Sequence, residues 1–306
     1  MTGTAFFLVL SSAALHASWN LIAKKRRMTI AFFAALASVG AAWSSCFLIL
    51  RPPPSALLGL PLAMALLGML AGQFLFAFGL GASYRRLDMS SAYPMINALP
   101  LPIVAIASAV FGFGRSPSVA AALGMAAVFA GCLFIPLPSF SSLFGGKSPL
   151  RGLPFVLATA CGTALYTIAD SEGLRLLREA LPAGDRDAIL PLRWYSMRMA
   201  ALAPALWAVV LLLPSARCEA ADLWRRRDCS PFAAGLCSSL AYVLVIAAMG
   251  FVDNVAYVQA FRQMGLVIGF AEGALFLRER VTAPKIAGLF LIIAGLALIA
   301  FSRACG

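Results

Sequence analysis

Ten mostly apolar stretches, each about long enough to cross a bilayer, limit what this chain can fold into. They run approximately over 4–23, 28–50, 57–82, 89–112, 118–136, 152–170, 191–214, 231–252, 254–277 and 281–302. About 20 apolar residues in a helix rise through the roughly 30 Å hydrocarbon core of a membrane. In lipid every backbone N–H and C=O must be satisfied within the protein, so spanning segments are helices or strands of a closed barrel. Barrel strands are short and alternate in polarity, whereas these stretches are long and continuously apolar. The expected fold is an all-α integral membrane protein with ten transmembrane helices.

Composition narrows the function classes. The chain is 62% hydrophobic and 12% charged, about half the charge of a soluble domain. The net charge of +12 does not point to nucleic acid, because the basic residues sit in short clusters between spans. There they set topology and meet anionic lipid headgroups. The seven cysteines, Cys46, Cys132, Cys161, Cys218, Cys229, Cys237 and Cys305, form no CxxC pair, and there is one histidine. Neither a zinc site nor a disulfide framework is expected, and no cofactor. Lys24, Lys25, Arg26 and Arg27 follow the first apolar run rather than precede it, so this run reads as a retained first helix and not as a signal peptide. GGKS at Gly145–Ser148 imitates the end of a phosphate loop. Ser141 holds the required glycine position, however, and no strand precedes it, so the match is coincidental.

Within the fourth span Pro94, Pro100 and Pro102 each remove a backbone donor and are expected to kink it. Ser171 to Leu190 is the longest polar connection and suggests a short surface helix. A shift of 164 residues brings Ala92-Tyr93 onto Ala256-Tyr257, Ser118 over Thr282, Gly124 onto Gly288 and Gly131 onto Gly295. A constant offset across a loop argues for duplication. The division is a first five-helix repeat over 1–136, a Pro/Ser/Gly-rich linker over 137–151 and a second repeat over 152–306. Five crossings per half would place the halves in opposite orientations, an arrangement typical of transporters with a site between the halves near mid-membrane. With Arg193 and Lys285, at span edges, counted to their adjoining loops, fifteen of the 24 Lys and Arg fall in the odd-numbered loops and seven in the termini and even-numbered loops. The positive-inside rule then puts both termini outside the cytoplasm.

The ninth span, NVAYVQAFRQMGLVIGFAEGALFL, has a functional-looking side. At 100° per residue Arg262, Gly265, Gly269, Glu272 and Gly273 share it. A glycine groove admits a second helix or a ligand, and a charge inside a membrane needs a partner or a wet cavity. Arg262 and Glu272 lie about 15 Å apart along the axis, so they do not pair with each other. A packing groove with structural ion pairs is the alternative. Arg262 is the foremost candidate to select a carboxylate or phosphate by forked hydrogen bonds, supported by Gln259 one turn earlier. Glu272 is the candidate for proton coupling.

His16, Trp19 and Asn20 on the first span offer a titratable group, a stacking surface and an amide; a satisfied polar network between helices is the competing reading. Tyr93 and Tyr257 are equivalent under the shift and stand either on facing walls of a cavity or at the membrane interface. Tyr166 and Asp170, four residues apart, end the sixth span; Tyr166 is a further substrate-binding candidate, and Asp170 reads as a coupling carboxylate or as solvated near the headgroups. Arg198 reads as a snorkelling anchor.

Four segments carry a family resemblance: LHASWNLIAKK, SAYPMINALPLPIVAI, YTIADSEGLR and ALFLRERVTAPKIAGLFLIIAGLALI. Together they resemble the EamA group of the drug/metabolite transporter (DMT) superfamily over nearly the whole chain. The resemblance implies ten helices in two inverted five-helix repeats, no cofactor, and a carrier, often an exporter, of small metabolites through a central cavity. The implied location is the plasma membrane (the bacterial inner membrane), and the implied partners are a small-molecule substrate and membrane lipid, with a monomer or homodimer as the working unit. The sequence departs from the family where Arg115 replaces the glutamate expected after the fourth helix, although Glu279 keeps its counterpart after the ninth. Relatives are expected to hold both termini in the cytoplasm, opposite to the charge count, so the transport direction stays open. Two other functions compete. One is a flippase-like carrier of a lipid-linked headgroup. The other is a membrane-embedded enzyme, for which neither HExxH nor GxSxG is present.

Overall fold

The computed structural model describes residues 3–26, 28–50, 52–53, 59–110, 118–139, 152–181, 190–249 and 264–304. Among them it is built of helices: α1 (Gly3–Lys25), α2 (Ile30–Leu50), α3 (Leu60–Tyr84), α4 (Met89–Ala98), α5 (Pro100–Val110), α6 (Val119–Phe134), α7 (Leu153–Ala180), α8 (Leu190–Leu212), α9 (Pro214–Arg225), α10 (Ser230–Met249), α11 (Met264–Phe276) and α12 (Ala283–Ala304). Ile30–Leu50, Leu60–Tyr84, Leu153–Ala180 and the Leu192–Leu212 part of α8 are each long and apolar enough to cross a membrane. The outward faces are as apolar as the interior: Ile49, Leu60, Leu212 and Phe290 are all at least 71% exposed. In water such faces would aggregate, whereas in lipid they are the solvated surface. The chain is a helical membrane protein.

Three local outcomes follow from particular residues. The fourth span breaks once, at Leu99 between α4 and α5: Leu99 keeps helical dihedrals and its N–H bonds to the Met95 carbonyl, but Pro100 and Pro102 bring no N–H to continue the ladder. Pro94 sits inside α4 without ending it. The sixth span does not stop at Asp170. It continues as α7 to Ala180, with Arg175 pairing to Glu172 and Glu179 at helical spacing, so Ser171–Ala180 prolongs α7 rather than forming a separate surface helix. A short polar helix does occur, but after the seventh span: α9 starts at Pro214, where the missing N–H is harmless.

Small residues set the packing. α3 runs antiparallel along α7, with Gly68 against Ala169, Gly72 against Gly162 and Tyr166, and Gly79 against Phe155 and Thr159. α6 and α12 also cross antiparallel, with Gly124 on the Gly295 carbonyl and Gly131 on the Gly288 carbonyl. α1 packs on α10 and α11, α2 on α8 and α10, and α4 on α11. One end of the bundle gathers the C-termini of α1, α3, α6 and α11 with the N-termini of α4, α7, α10 and α12. The Lys24 ammonium donates to the carbonyls of Tyr84 and Leu87, Thr282 donates to Leu137, Gly152 abuts Leu87, and Arg26 reaches Asp228. Lys24, Arg26, Arg86, Arg278 and Lys285 collect there, and we refer to it as the basic end.

Candidate functional site

Two polar clusters lie inside the bundle. The first joins α1, α3, α4 and α11. The Trp19 indole N–H donates to His16 Nδ1 at 3.2 Å. The Asn20 amide donates to the His16 carbonyl at 2.9 Å and accepts the Tyr84 hydroxyl at 2.9 Å. The Tyr93 ring stands 6.3 Å from the imidazole of His16 and is buried in protein rather than placed at an interface. It fills the glycine groove of α11: a side chain at Gly269 would meet the Tyr93 ring, and one at Gly273 would meet Ser90 and Glu279. The groove therefore receives α4. Glu272 faces α1, where its Oε1 accepts the Ser18 hydroxyl at 3.1 Å. Its Oε2 is buried and has no partner among the described residues. Tyr257, Gln259 and Arg262 lie outside the described residues, as does Arg115.

Sequence reasoning singled out Tyr166 and Asp170 in the second cluster but missed the pairing of Asp170 with Arg198. Asp170 and Arg198 form an ion pair at 2.7 Å across α7 and α8. Asp170 is not solvated at the headgroups, and Arg198 does not snorkel outward. Both side chains are mostly enclosed, 17% and 14% exposed. The Trp194 indole N–H donates to the other Asp170 oxygen at 3.0 Å, and the Arg198 guanidinium lies 4.9 Å over the Tyr166 ring. Trp194, Tyr195 and Arg198 share one side of α8, as their spacing of three to four residues dictates. Tyr195 stacks between Trp43 at 5.4 Å and Tyr242 at 4.5 Å. Tyr166 stands opposite Gly72, midway along α3, and Tyr195 opposite Gly40, midway along α2. The cluster is thus at mid-depth. One sequence signal does point to it: opposite charges inside consecutive apolar spans, which must face each other or water.

A Trp194→Phe variant loses the indole donor to Asp170 and also the distal indole-ring atoms that pack on Gly173. The expected cost is about 2–4 kcal/mol, one hydrogen bond to a charged acceptor together with the packing of the missing ring. A thermal melt of the purified protein in detergent reads it.

At the basic end a third group closes the bundle. The carboxylate of Glu279 accepts the backbone N–H groups of Met89 and Ser90, each at 2.7 Å. Buried Lys285 donates to Asp88 at 2.8 Å and to the Ser90 hydroxyl at 3.0 Å. Asp88 occupies the N-cap position of α4, but its side chain makes no cap bond, since Lys285 holds it. Glu279 caps the helix instead.

No family model matches the chain, and no curated protein matches it. Among solved structures it is similar to one described as "Crystal structure of protein", at 13% identity and a TM-score of 0.55, over 100% of this chain and 99% of that one. At that identity the likeness concerns the fold alone.

Proposed function

We propose that the chain is a secondary transporter of a small polar metabolite, anionic or zwitterionic, working by alternating access between two inverted five-helix repeats. The crossing of α6 and α12 carries this reading. Under the 164-residue shift Gly124 becomes Gly288 and Gly131 becomes Gly295. The contact Gly124–Gly295 then maps onto Gly288–Gly131, which is the other contact of the same crossing. A contact that maps onto itself with its two helices antiparallel is what a two-fold axis lying in the membrane plane generates. The other pairings follow the same exchange, α3 on α7 answering α10 on α1. The ten-pass layout also agrees with the gathering of the odd-numbered loops at one end, and the charge rule makes that basic end cytoplasmic. The resemblance to EamA-type carriers supports the carrier reading, while for the orientation it implies the opposite of the charge rule. Charged groups at mid-depth supply a reason for polar cargo to stop there, because a membrane-buried charge persists only where it meets a partner or a wet cavity.

Reconstitution tests this directly. Proteoliposomes loaded with unlabelled metabolite pools are expected to accumulate at least one labelled organic anion or zwitterion by counterflow, above protein-free vesicles. Monodisperse, correctly inserted protein that exchanges none of a broad panel would sink the carrier reading.

A further inference from the structure

The connection from α8 to α10 carries a charged helix that the polar clusters inside the bundle do not use. Arg193, early in α8, donates to the Pro52 carbonyl just beyond α2. α8 therefore begins at the end of the bundle away from Lys24 and finishes at the basic end. Its last residues, Leu211 and Leu212, and Leu213 after them are exposed and apolar, as a lipid-facing edge requires. Pro214 then starts α9. Ala216, Ala220 and Leu223, at spacings of four and three, pack against the main core, where α9 meets α2 and α8. That row fixes which sides of α9 face outward. At 100° per residue Glu219 and Asp222 share one flank, and Arg217, Ala221, Trp224 and Arg225 share the other.

Packing within the fold does not account for the basic flank. Trp224 is 81% exposed, and an indole so placed suits the membrane–water interface, where its apolar body and its N–H are both met. Arg226 pairs with Asp222 along the helix, and Arg26 reaches Asp228. Among the described residues no carboxylate comes within salt-bridge distance of Arg217, Arg225 or Arg227. The helix dipole favours cations in the last turn, which suits Arg225, but disfavours one in the first turn, where Arg217 stands. Arg227 holds the left-handed conformation, φ 50°, that glycine would adopt without strain. These are cations placed against local preference, beside an exposed indole and a lipid-facing run of leucines. An anionic leaflet supplies what they lack: phosphodiesters for the guanidinium forks and a headgroup boundary for the ring. We propose that α9 is an interfacial helix and that Arg217, Trp224, Arg225 and Arg227 form a docking surface for anionic phospholipid headgroups in the leaflet at the basic end. Headgroup binding of this kind requires a membrane but no cargo, so it stands apart from the carrier reading.

The experiment uses the full chain in a neutral detergent. It is titrated with phosphatidylglycerol or phosphatidylcholine carrying bromines high in the acyl chains, which quench tryptophan on contact. Subtracting the Trp224→Phe variant isolates Trp224 from the other four tryptophans. Its emission is expected to be quenched at a mole fraction of the anionic lipid roughly tenfold or more below that of the zwitterionic lipid. Each basic side chain near an anionic surface is worth about fivefold in affinity. The triple variant Arg217→Gln, Arg225→Gln, Arg227→Gln should therefore respond alike to both lipids. Arg175→Gln removes an exposed arginine near the other end of the bundle and should leave the preference unchanged. Size-exclusion profiles identify any variant that fails to fold, and the comparison of the two lipids needs no arginine variant. No quenching of Trp224 by either lipid would place α9 in water and leave its arginines to a soluble acidic partner. Equal quenching by both lipids in the wild type would remove the charge selectivity, and a preference that survives the triple variant would move it elsewhere on the basic end. Reversal of the phosphatidylglycerol effect by millimolar inorganic phosphate would make this a free-anion site. Any one of these four results overturns the assignment.

Discussion

A Gly131→Leu variant is expected to lose the α6–α12 crossing and to melt well below the wild type. A Cβ at position 131 would lie 2.5 Å from the Gly288 carbonyl oxygen and 2.8 Å from Ile292 Cγ1. The first of these is a backbone atom of a packed helix, which no rotamer change can move aside. Overpacking a well-filled interior costs about 1–3 kcal/mol where side chains can adjust, and here the helices themselves must separate. On the scaling for a chain of this size, the midpoint should fall by on the order of 5–10 °C. Gly288→Leu meets the Gly131 carbonyl at 2.6 Å and should behave alike. The two changes together should cost less than their sum, since one separation of the helices relieves both. Gly59→Ala is the control: the added Cβ meets only Pro61, at 3.7 Å, and the melt should not move. A leucine at 131 that left the melt unchanged would mean that α6 and α12 do not cross there.

How far the sequence spoke depends on how local each signal was. The apolar spans were legible because lipid imposes the same demand on every residue of a helix. The break at Leu99 was legible because Pro100 and Pro102 remove backbone donors at their own positions. The repeat shift identified Gly124 with Gly288, yet it could not say that each glycine faces the other member of the second pair, which only the crossing reveals. Asp88, just before α4, reads as an ordinary N-cap. Its carboxylate is taken instead by Lys285, far along the chain, and nothing near Asp88 announces that. Arg198 was read by its position in a span as a snorkelling cation, because its counter-ion comes from the preceding span. The glycine side of the ninth span was read as groove or cavity; over Gly269 and Gly273 it is a groove that α4 occupies. Its cationic half, with Arg262, falls outside the described residues.

Glu279→Gln is expected to loosen the basic end without unfolding the bundle. The chain reaches Glu279 through Arg278, a non-glycine residue in the left-handed region at φ 54°, with the Glu279 N–H bonded back to the Gly273 carbonyl at 3.4 Å. The left-handed residue closes α11 and points the carboxylate at the start of α4. There it accepts two N–H groups and meets the positive end of the helix dipole, a charge-assisted arrangement. Glutamine retains one acceptor oxygen and turns an NH₂ toward the second N–H, so one bond and the charge are lost, about 2 kcal/mol. That corresponds to about thirtyfold faster amide exchange at Met89 and Ser90, read by hydrogen–deuterium exchange of the peptide covering α4. Unchanged exchange in that peptide would show that Asp88 and Lys285 hold the helix start without Glu279. The clasp is also one-sided. The repeat shift carries Glu279 to Arg115 and Lys285 to Ala121, so these equivalent positions of the first half carry neither the carboxylate nor the ammonium. In a carrier built from two like halves, such a difference biases the resting state toward closure at the basic end. On that reading Glu279→Gln raises the rate of opening at the basic end while leaving the central ion pair of Asp170 and Arg198 intact.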